Sequence, residues 1–575
     1  MTAPPARRGR RHRGTAAARS HGGRPPTPPI RPPGSPPRAP VTRAHGRGAT
    51  HGRVDWFTDT DYGLGRLIFQ RMLAVLYLTA FVAAARQFRA LIGARGMLPV
   101  PEFVARVPFR AAPSVFQLRY SDRFFAAWTW CGALLAAAVA AGAADAVPLW
   151  ASMVMWAALW VMYLSVVNVG QTWYGFGWES LLLEAGFLAV FLGNATIAPP
   201  VLVMWLLRWL LFRVEFGAGL IKMRGDRCWR DLTCLYYHHE TQPMPGPLSW
   251  FFHHLPKPLH RAEVAANHVA QLGLPVLLFT PQPVAGWAAL AMAATQLWLV
   301  FSGNFAWLNW LTIALALSAV GPLWTAGPQT PASPPVWFTV LVIAVTALVA
   351  ALSYRPARNL LTRQQRMNTS YEPLHLVNSY GAFGSITRVR REIVIEGTTD
   401  AATGPGTVRP AHELHGEPLD RHQVDWYRRR SGQGRPVLER ADREVPADAG
   451  WQEYGFHGKP DDPRRWPRQF APFHLRLDWL LWFVALSPAY GLPWFEGFLL
   501  RLLLNDRDTL GLLRHNPFPD RPPRYVRARV FRYRFTTWRE LRETGACWHR
   551  EYVRDLLPPV RLTAPPVSRT PASGE

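Results

Sequence analysis

Residues 64–353 are dominated by apolar runs, and several reach the roughly 20 residues that an α-helix needs to cross a bilayer. No other feature narrows the fold as far. A segment inside hydrocarbon must satisfy every backbone N–H and C=O internally, which leaves only helices or a closed barrel. The sequence therefore predicts an α-helical polytopic membrane bundle of about eight or nine spans, followed by a mostly-β C-terminal soluble domain. The spans expected are Leu67–Ala85, Phe124–Ala144, Leu149–Asn168, Leu181–Ile197, Val201–Ile221, His268–Thr280, Val284–Ser302, Phe305–Val320 and Val336–Ser353. His268–Thr280 is short enough to be re-entrant or interfacial. Gly, Ala and Ser recur in the second span, as suits helices that approach closely in lipid.

Polar segments flank this bundle. Residues 1–54 are rich in Arg and Pro and poor in large apolar side chains, so they are expected to be a disordered tail. The transmembrane domain is expected over 55–354, with a central loop at 222–263. A mostly-β domain is expected over 371–540, with a loop-rich insertion at 398–449 and a disordered tail at 558–575. LHLVNSYGAFG, ITRVRREIVIEGT, QEYGFHGKPDD and YVRARVFRYRF read as short strands, the last alternating Arg with apolar residues. The stretch from Arg476 is helical and aromatic, and its prolines and glycine (Pro488, Gly491, Pro493) favour a surface position on the membrane over a crossing.

The chain of 575 residues carries a formal net charge of +26, which invites a nucleic-acid reading. Nearly all of that charge is Arg, lysine occurring only at Lys222, Lys257 and Lys459, and no zinc-finger, helix-turn-helix or RRM pattern accompanies it. Coding bias explains it better, and no nucleic-acid partner is expected. The basic first tail argues for a cytoplasmic N-terminus. The side of the C-terminal domain depends on the span count and stays open. Four cysteines contain no CxxC pair; Cys228 and Cys234 share the central loop and could pair if it faces an oxidising compartment, which spacing alone does not show.

Charges inside apolar runs are costly and default to pairing or function. Glu179, Glu184, Arg208, Arg213 and Glu215 are candidates for a structural charge network, with Lys222 as a further partner. Arg208 and Glu215 are seven apart, two turns of one helix face. Lys222 is also the one weak catalytic candidate, because a buried lysine can lose its proton and act as a base where arginine cannot. A lysine snorkelling from a helix end is the simpler reading. His238, His239, Glu240, His253, His254, His260 and His268 crowd the central loop without a metal-ligand spacing such as HExxH, so packing of imidazoles and aromatics is expected there and no metal. No Walker loop, GxSxG elbow or dinucleotide fingerprint is present, and no cofactor is expected.

Six ordered blocks carry a resemblance. WYGFGWESLLLEAGFLAVFLG, RWLLFRVEFGAGLIKMRGDRCWRDLTCLYYHHETQPMPGPLSWFFHHLPK, SGNFAWLNWLTI, VNSYGAFGSITRVRREIVIEGT, EYGFHGKPDD and APFHLRLDWLLWFVAL resemble the lipase maturation factors over roughly residues 60–540. The resemblance implies a multi-pass membrane protein, of the endoplasmic reticulum in eukaryotic members and of the cell membrane in a bacterium. It implies a chaperone-like factor, not an enzyme, that helps secreted lipases or similar secreted proteins fold and assemble. Membrane lipid and a client secreted lipase are the implied partners, the client meeting Tyr371–Thr537. The Arg/Pro-rich tail and residues 398–449 depart from the family pattern. A shorter likeness, GLIKMRGDRCW, is to vitamin K-dependent γ-carboxylases, and implies instead a membrane enzyme holding a quinone-like ligand with Lys222 as base.

Overall fold

The structure, a computed structural model, describes residues 56–321, 332–400, 437–441, 445 and 449–563. The tail expected at 1–54 and most of the insertion expected at 398–449 lie outside the described residues. Long helices fill the first half: α1 (Gly63–Leu91), α2 (Asp122–Ala141), α3 (Leu149–Val169), α4 (Gly177–Val190) and α5 (Val201–Arg224). Their boundaries have local causes. The Ser121 side chain caps α2 by accepting from Phe124 N, and Gly142 ends it in the left-handed region at φ 111°. Pro148 and Pro200 stand immediately before α3 and α5, where no helical N–H is lost.

Short helices α6 (Leu235–Thr241), α7 (Ser249–His253) and α8 (Lys257–His268) follow in the central loop. Then come α9 (Val284–Ser302), α10 (Leu308–Ser318), α11 (Val336–Leu352) and α12 (Tyr354–Leu361). Among the described residues, five helices are long and apolar enough to cross a membrane: Thr60–Leu91, Asp122–Ala141, Leu149–Val169, Val284–Ser302 and Val336–Leu361. The count of eight or nine is not confirmed. The run at Leu181–Ile197 becomes the 14-residue α4, every residue of which is buried in protein. Phe305–Val320 yields only the 11-residue α10, and His268–Thr280 breaks into a π turn (Val269–Gly273) and a four-residue helix (Leu274–Leu277). Apolar length alone does not separate a span from a helix buried in protein. Burial by neighbouring helices serves both.

Five strands form one antiparallel sheet in the order β4-β7-β6-β3-β5: β3 (Arg390–Thr398), β4 (Val437–Arg440), β5 (Gln452–Glu453), β6 (Tyr525–Phe535) and β7 (Trp548–Thr563). The two-residue strands β1 (Thr369–Ser370) and β2 (Asn378–Ser379) pair separately. YVRARVFRYRF is β6 from end to end. Two expectations are corrected. β4 lies inside the stretch assigned to an insertion, and β7 continues to Thr563, so Pro558–Thr563 belongs to the sheet and not to a tail. The prolines are tolerated because the β6–β7 register shifts beside them, between the pairs Val526↔Val560 and Ala528↔Leu557.

The sheet is not a body resting beside the bundle. Ile393, Ile395, Val526, Ala528 and Val560 belong to the same continuous core as α1, α3 and α4. Its other face packs Val394, Phe531, Tyr533, Phe535 and Trp548 around Trp250 of α7. The aromatic helix α13 (Arg476–Leu486) is buried along most of its length and packs on β3, so it does not lie on lipid as the sequence led us to expect. A second helix, α14 (Phe495–Leu503), packs against β6.

Candidate functional site

Every candidate of the charge network is buried, and the structure sorts them into separate centres. On α4 and α5, Glu184 and Arg213 form an ion pair, each side chain 1% exposed. Arg213 Nη1 also donates to the Asn378 carbonyl at 2.7 Å. Glu184 Oε2 accepts from Asn378 N and Nδ2, both at 3.0 Å, and from the Tyr380 hydroxyl at 2.7 Å. These donors come from the segment after the last apolar helix, so the pair inside the bundle is completed from outside it. Gly217 makes the approach possible: a Cβ there would meet the Tyr380 carbonyl oxygen at 2.5 Å.

Glu179 is held by Arg476, the first residue of α13, whose Nη2 stands 3.0 Å from Oε1 at an angle poor for hydrogen bonding, so the attraction is chiefly coulombic. The Tyr163 hydroxyl donates to Oε2 at 2.5 Å. Arg476 lies over the Tyr174 ring at 3.7 Å and donates to His474 at 2.6 Å. Gln87 of α1 fixes the same turn, donating to the His474 carbonyl at 2.7 Å and accepting from Arg476 N at 3.1 Å.

Arg208 and Glu215 take separate partners in spite of their shared helix face. Arg208 donates to the Tyr62 hydroxyl at 2.5 Å and stands over Trp205 at 4.8 Å. Glu215 accepts from Gln296 at 2.7 Å and Gln271 at 3.3 Å. Lys222 donates to the amide oxygens of Gln271 at 2.9 Å and Asn267 at 3.4 Å, with its ammonium 4.7 Å above the Trp229 ring. Gln271 thus bridges Lys222 to Glu215. Two amide oxygens and an aromatic face are partners that an ammonium can use inside protein.

The central loop is tied to the sheet. Arg390 of β3 donates to the carbonyls of Glu240 at 2.8 Å and Pro243 at 3.0 Å, and to that of Gln242. Glu392 joins Arg390 at 2.5 Å to Lys459 at 3.3 Å in a buried cluster. Asn304 clamps the other end, donating to Arg468 O and accepting from Phe470 N and Ala471 N. Cys228 and Cys234 are joined in a disulfide with Cα atoms 4.8 Å apart. Burial first, then neighbouring His239 and Lys222, pushes His238 down to about 3. His239 and His260 meet Glu263, a residue that did not stand out in the sequence because it faces them only once α8 packs on α6. Arg476, Asn378 and Tyr380 were missed for the same reason, although the Arg in APFHLRLDW, at the start of an apolar run, was a visible signal.

The family model of the lipase maturation factor transmembrane domain matches residues 64–323, and that of the lipase maturation factor C-terminal domain matches residues 426–558. Lipase maturation factor 1 of Bos taurus is 37% identical over 543 residues, 87% of this chain and 89% of that protein. Lipase maturation factor 1 of Homo sapiens is 36% identical over 562 residues, 90% and 91% of the two chains. Lipase maturation factor 2 of Homo sapiens is 30% identical over 596 residues, 87% and 83%. No solved structure matches. The short carboxylase likeness around Lys222 gains no support from these relatives. Matched across both regions and aligned over most of its length, this integral membrane chain belongs to the lipase maturation factor family.

Proposed function

We propose that this protein is a membrane-bound maturation factor that helps secreted lipases, or secreted proteins like them, to fold and assemble. The observation that carries the reading is the 37% identity to a named maturation factor over 87% of the chain. The bundle anchors the protein in the endoplasmic reticulum membrane of a eukaryote or the cell membrane of a bacterium. Tyr371–Thr537 is its client-facing part. Helix α5, 24 residues and about 36 Å long at 1.5 Å per residue, also crosses the membrane, its charges turned to protein partners. Glu179, Glu184, Arg208, Arg213 and Glu215 serve to hold that frame, and Lys222 serves with them instead of acting as a base.

The Cys228–Cys234 disulfide supports placing the loop on the oxidising side, and the sheet that Arg390 ties to the loop goes with it. Co-expression with a secreted homodimeric lipase, in cells lacking their own maturation factor, tests the function. The specific activity of the secreted lipase rises while its transcript stays constant. An unchanged specific activity beside well-expressed protein would overturn the reading. Maleimide labelling of intact membranes tests the sidedness separately: Arg539→Cys, at an exposed position just after β6, reacts with an impermeant reagent only from the oxidising face.

A further inference from the structure

Helices α6 and α8 meet beside the disulfide-bonded loop, and three ligand-type side chains converge between them. His239 of α6, with His260 and Glu263 of α8, bring one ring nitrogen or carboxylate oxygen each to within 4.8 Å of one another. His260 and Glu263 are three residues apart and share one helix face. His239 is 1% exposed, yet neither of its ring nitrogens has a hydrogen-bond partner. Native interiors seldom leave a buried polar group so.

The surroundings are those of metal ligands. His260 turns Nε2 to the His253 carbonyl at 3.3 Å, which leaves Nδ1 buried and without a partner. Glu263 Oε1 accepts from Trp298 Nε1 at 2.7 Å, while Oε2 stands 3.9 Å from His239 Nε2. An imidazole held through its second nitrogen and a carboxylate held through its second oxygen are the usual outer supports of a metal site. Phe252 stacks on the His239 ring at 5.5 Å and limits its rotation. The neighbouring Glu240 is excluded from the set, because it accepts from Phe535 N at 2.8 Å and faces His253 at 3.5 Å.

We propose that His239, His260 and Glu263 bind a zinc ion that clips α6 to α8. Two imidazoles and one carboxylate make a three-ligand zinc set with a fourth position for water or another ligand. Calcium and magnesium require oxygen ligands and are a poor match. Ligand atoms on a zinc tetrahedron lie about 3.4 Å apart, so the side chains close by about 1.4 Å or less when the ion enters. Nothing in the linear spacing marks the set, since His239 and His260 come from separate helices.

The test uses the full chain in detergent, purified on an affinity tag without histidine, stripped with EDTA and dialysed against zinc. Elemental analysis is expected to find one tightly held zinc per chain, and cobalt in its place to give visible d–d bands. His239→Ala/His260→Ala loses that zinc and those bands, while His549→Ala, on the exposed part of β7, keeps them. Glu263→Gln, which preserves shape, weakens binding by at least about tenfold, as loss of a ligating or supporting group does. It also removes the zinc-dependent rise in melting temperature without lowering the melting temperature of the stripped protein by the same amount. Absence of stoichiometric zinc from the wild type, or equal zinc in the wild type and the double variant, would overturn the proposal.

Discussion

The bundle and the sheet both contain ion pairs, and the Glu184–Arg213 pair of the bundle is built differently from the outer pairs of the sheet. Glu184 and Arg213 are each 1% exposed, and the carboxylate takes further donors from Asn378 and Tyr380. Across the sheet, Arg527 and Glu396 pair at 2.5 Å on neighbouring strands with 21% and 6% exposure, and Arg534 pairs with Glu540 at 2.6 Å in still more open surroundings. Water can compensate Arg527 or Arg534 if either loses its partner. Arg213 is too deeply buried for water to replace Glu184. We propose on that contrast that the Glu184–Arg213 pair acts less as a net stabiliser than as a constraint on which elements meet.

That contrast is broken most directly at Arg213. Arg213→Met leaves Glu184 buried without a counter-charge and is expected to cost about 3–5 kcal/mol, read as loss of monodisperse protein in size-exclusion chromatography. Adding Glu184→Gln should recover part of the loss. A single variant that melts like the wild type would end the argument for constraint.

The disulfide lies between the two regions and gives a smaller effect. Cys228→Ser opens a loop of six residues and is expected to lower stability by about 2 kcal/mol, measured as a reduced melting temperature under non-reducing conditions.

His375, in the segment joining bundle and sheet, sharpens the comparison by pH. Burial pushes its imidazole down to about 4. The unfolded chain, with an ordinary value of about 6.5, then takes up the proton first as pH falls. Its contribution to stability is complete above about 6.5 and is lost between there and about 4, at up to about 1.4 kcal/mol per pH unit. A melting series from pH 7.5 to 4 should show that slope reduced in His375→Gln.

The smallest effect belongs to the sheet. Glu396→Gln, which removes the partner of Arg527, is expected to cost between about 0 and 1 kcal/mol and to weaken further in high salt. A loss as large as that at Arg213 would erase the distinction between the regions.

Much of this was legible in the residues. Apolar runs located the long helices, the Arg-and-apolar alternation located β6, and six ordered sequence blocks located the family. The charges of α4 and α5 identified themselves as residues needing partners, because hydrocarbon and packed protein both penalise an unpaired ion. Their partners were another matter. Glu179 meets Arg476 nearly 300 residues away, and Glu184 takes donors from Asn378 and Tyr380. Pro558–Thr563 looked like a tail because its prolines carry no strand signal of their own; pairing with β4 and a register shift decide that it is a strand.

The sequence by itself determined that this chain enters a membrane and which family it belongs to. These follow from local composition and from ordered motifs, and survive without knowledge of any contact. Only the tertiary structure decided that the sheet shares one core with the bundle, that Lys222 sits between amides and an indole ring, and that His239, His260 and Glu263 face one another. Those facts depend on which helix packs on which. A side chain's charge is set by its residue, but its partner is set by the whole fold.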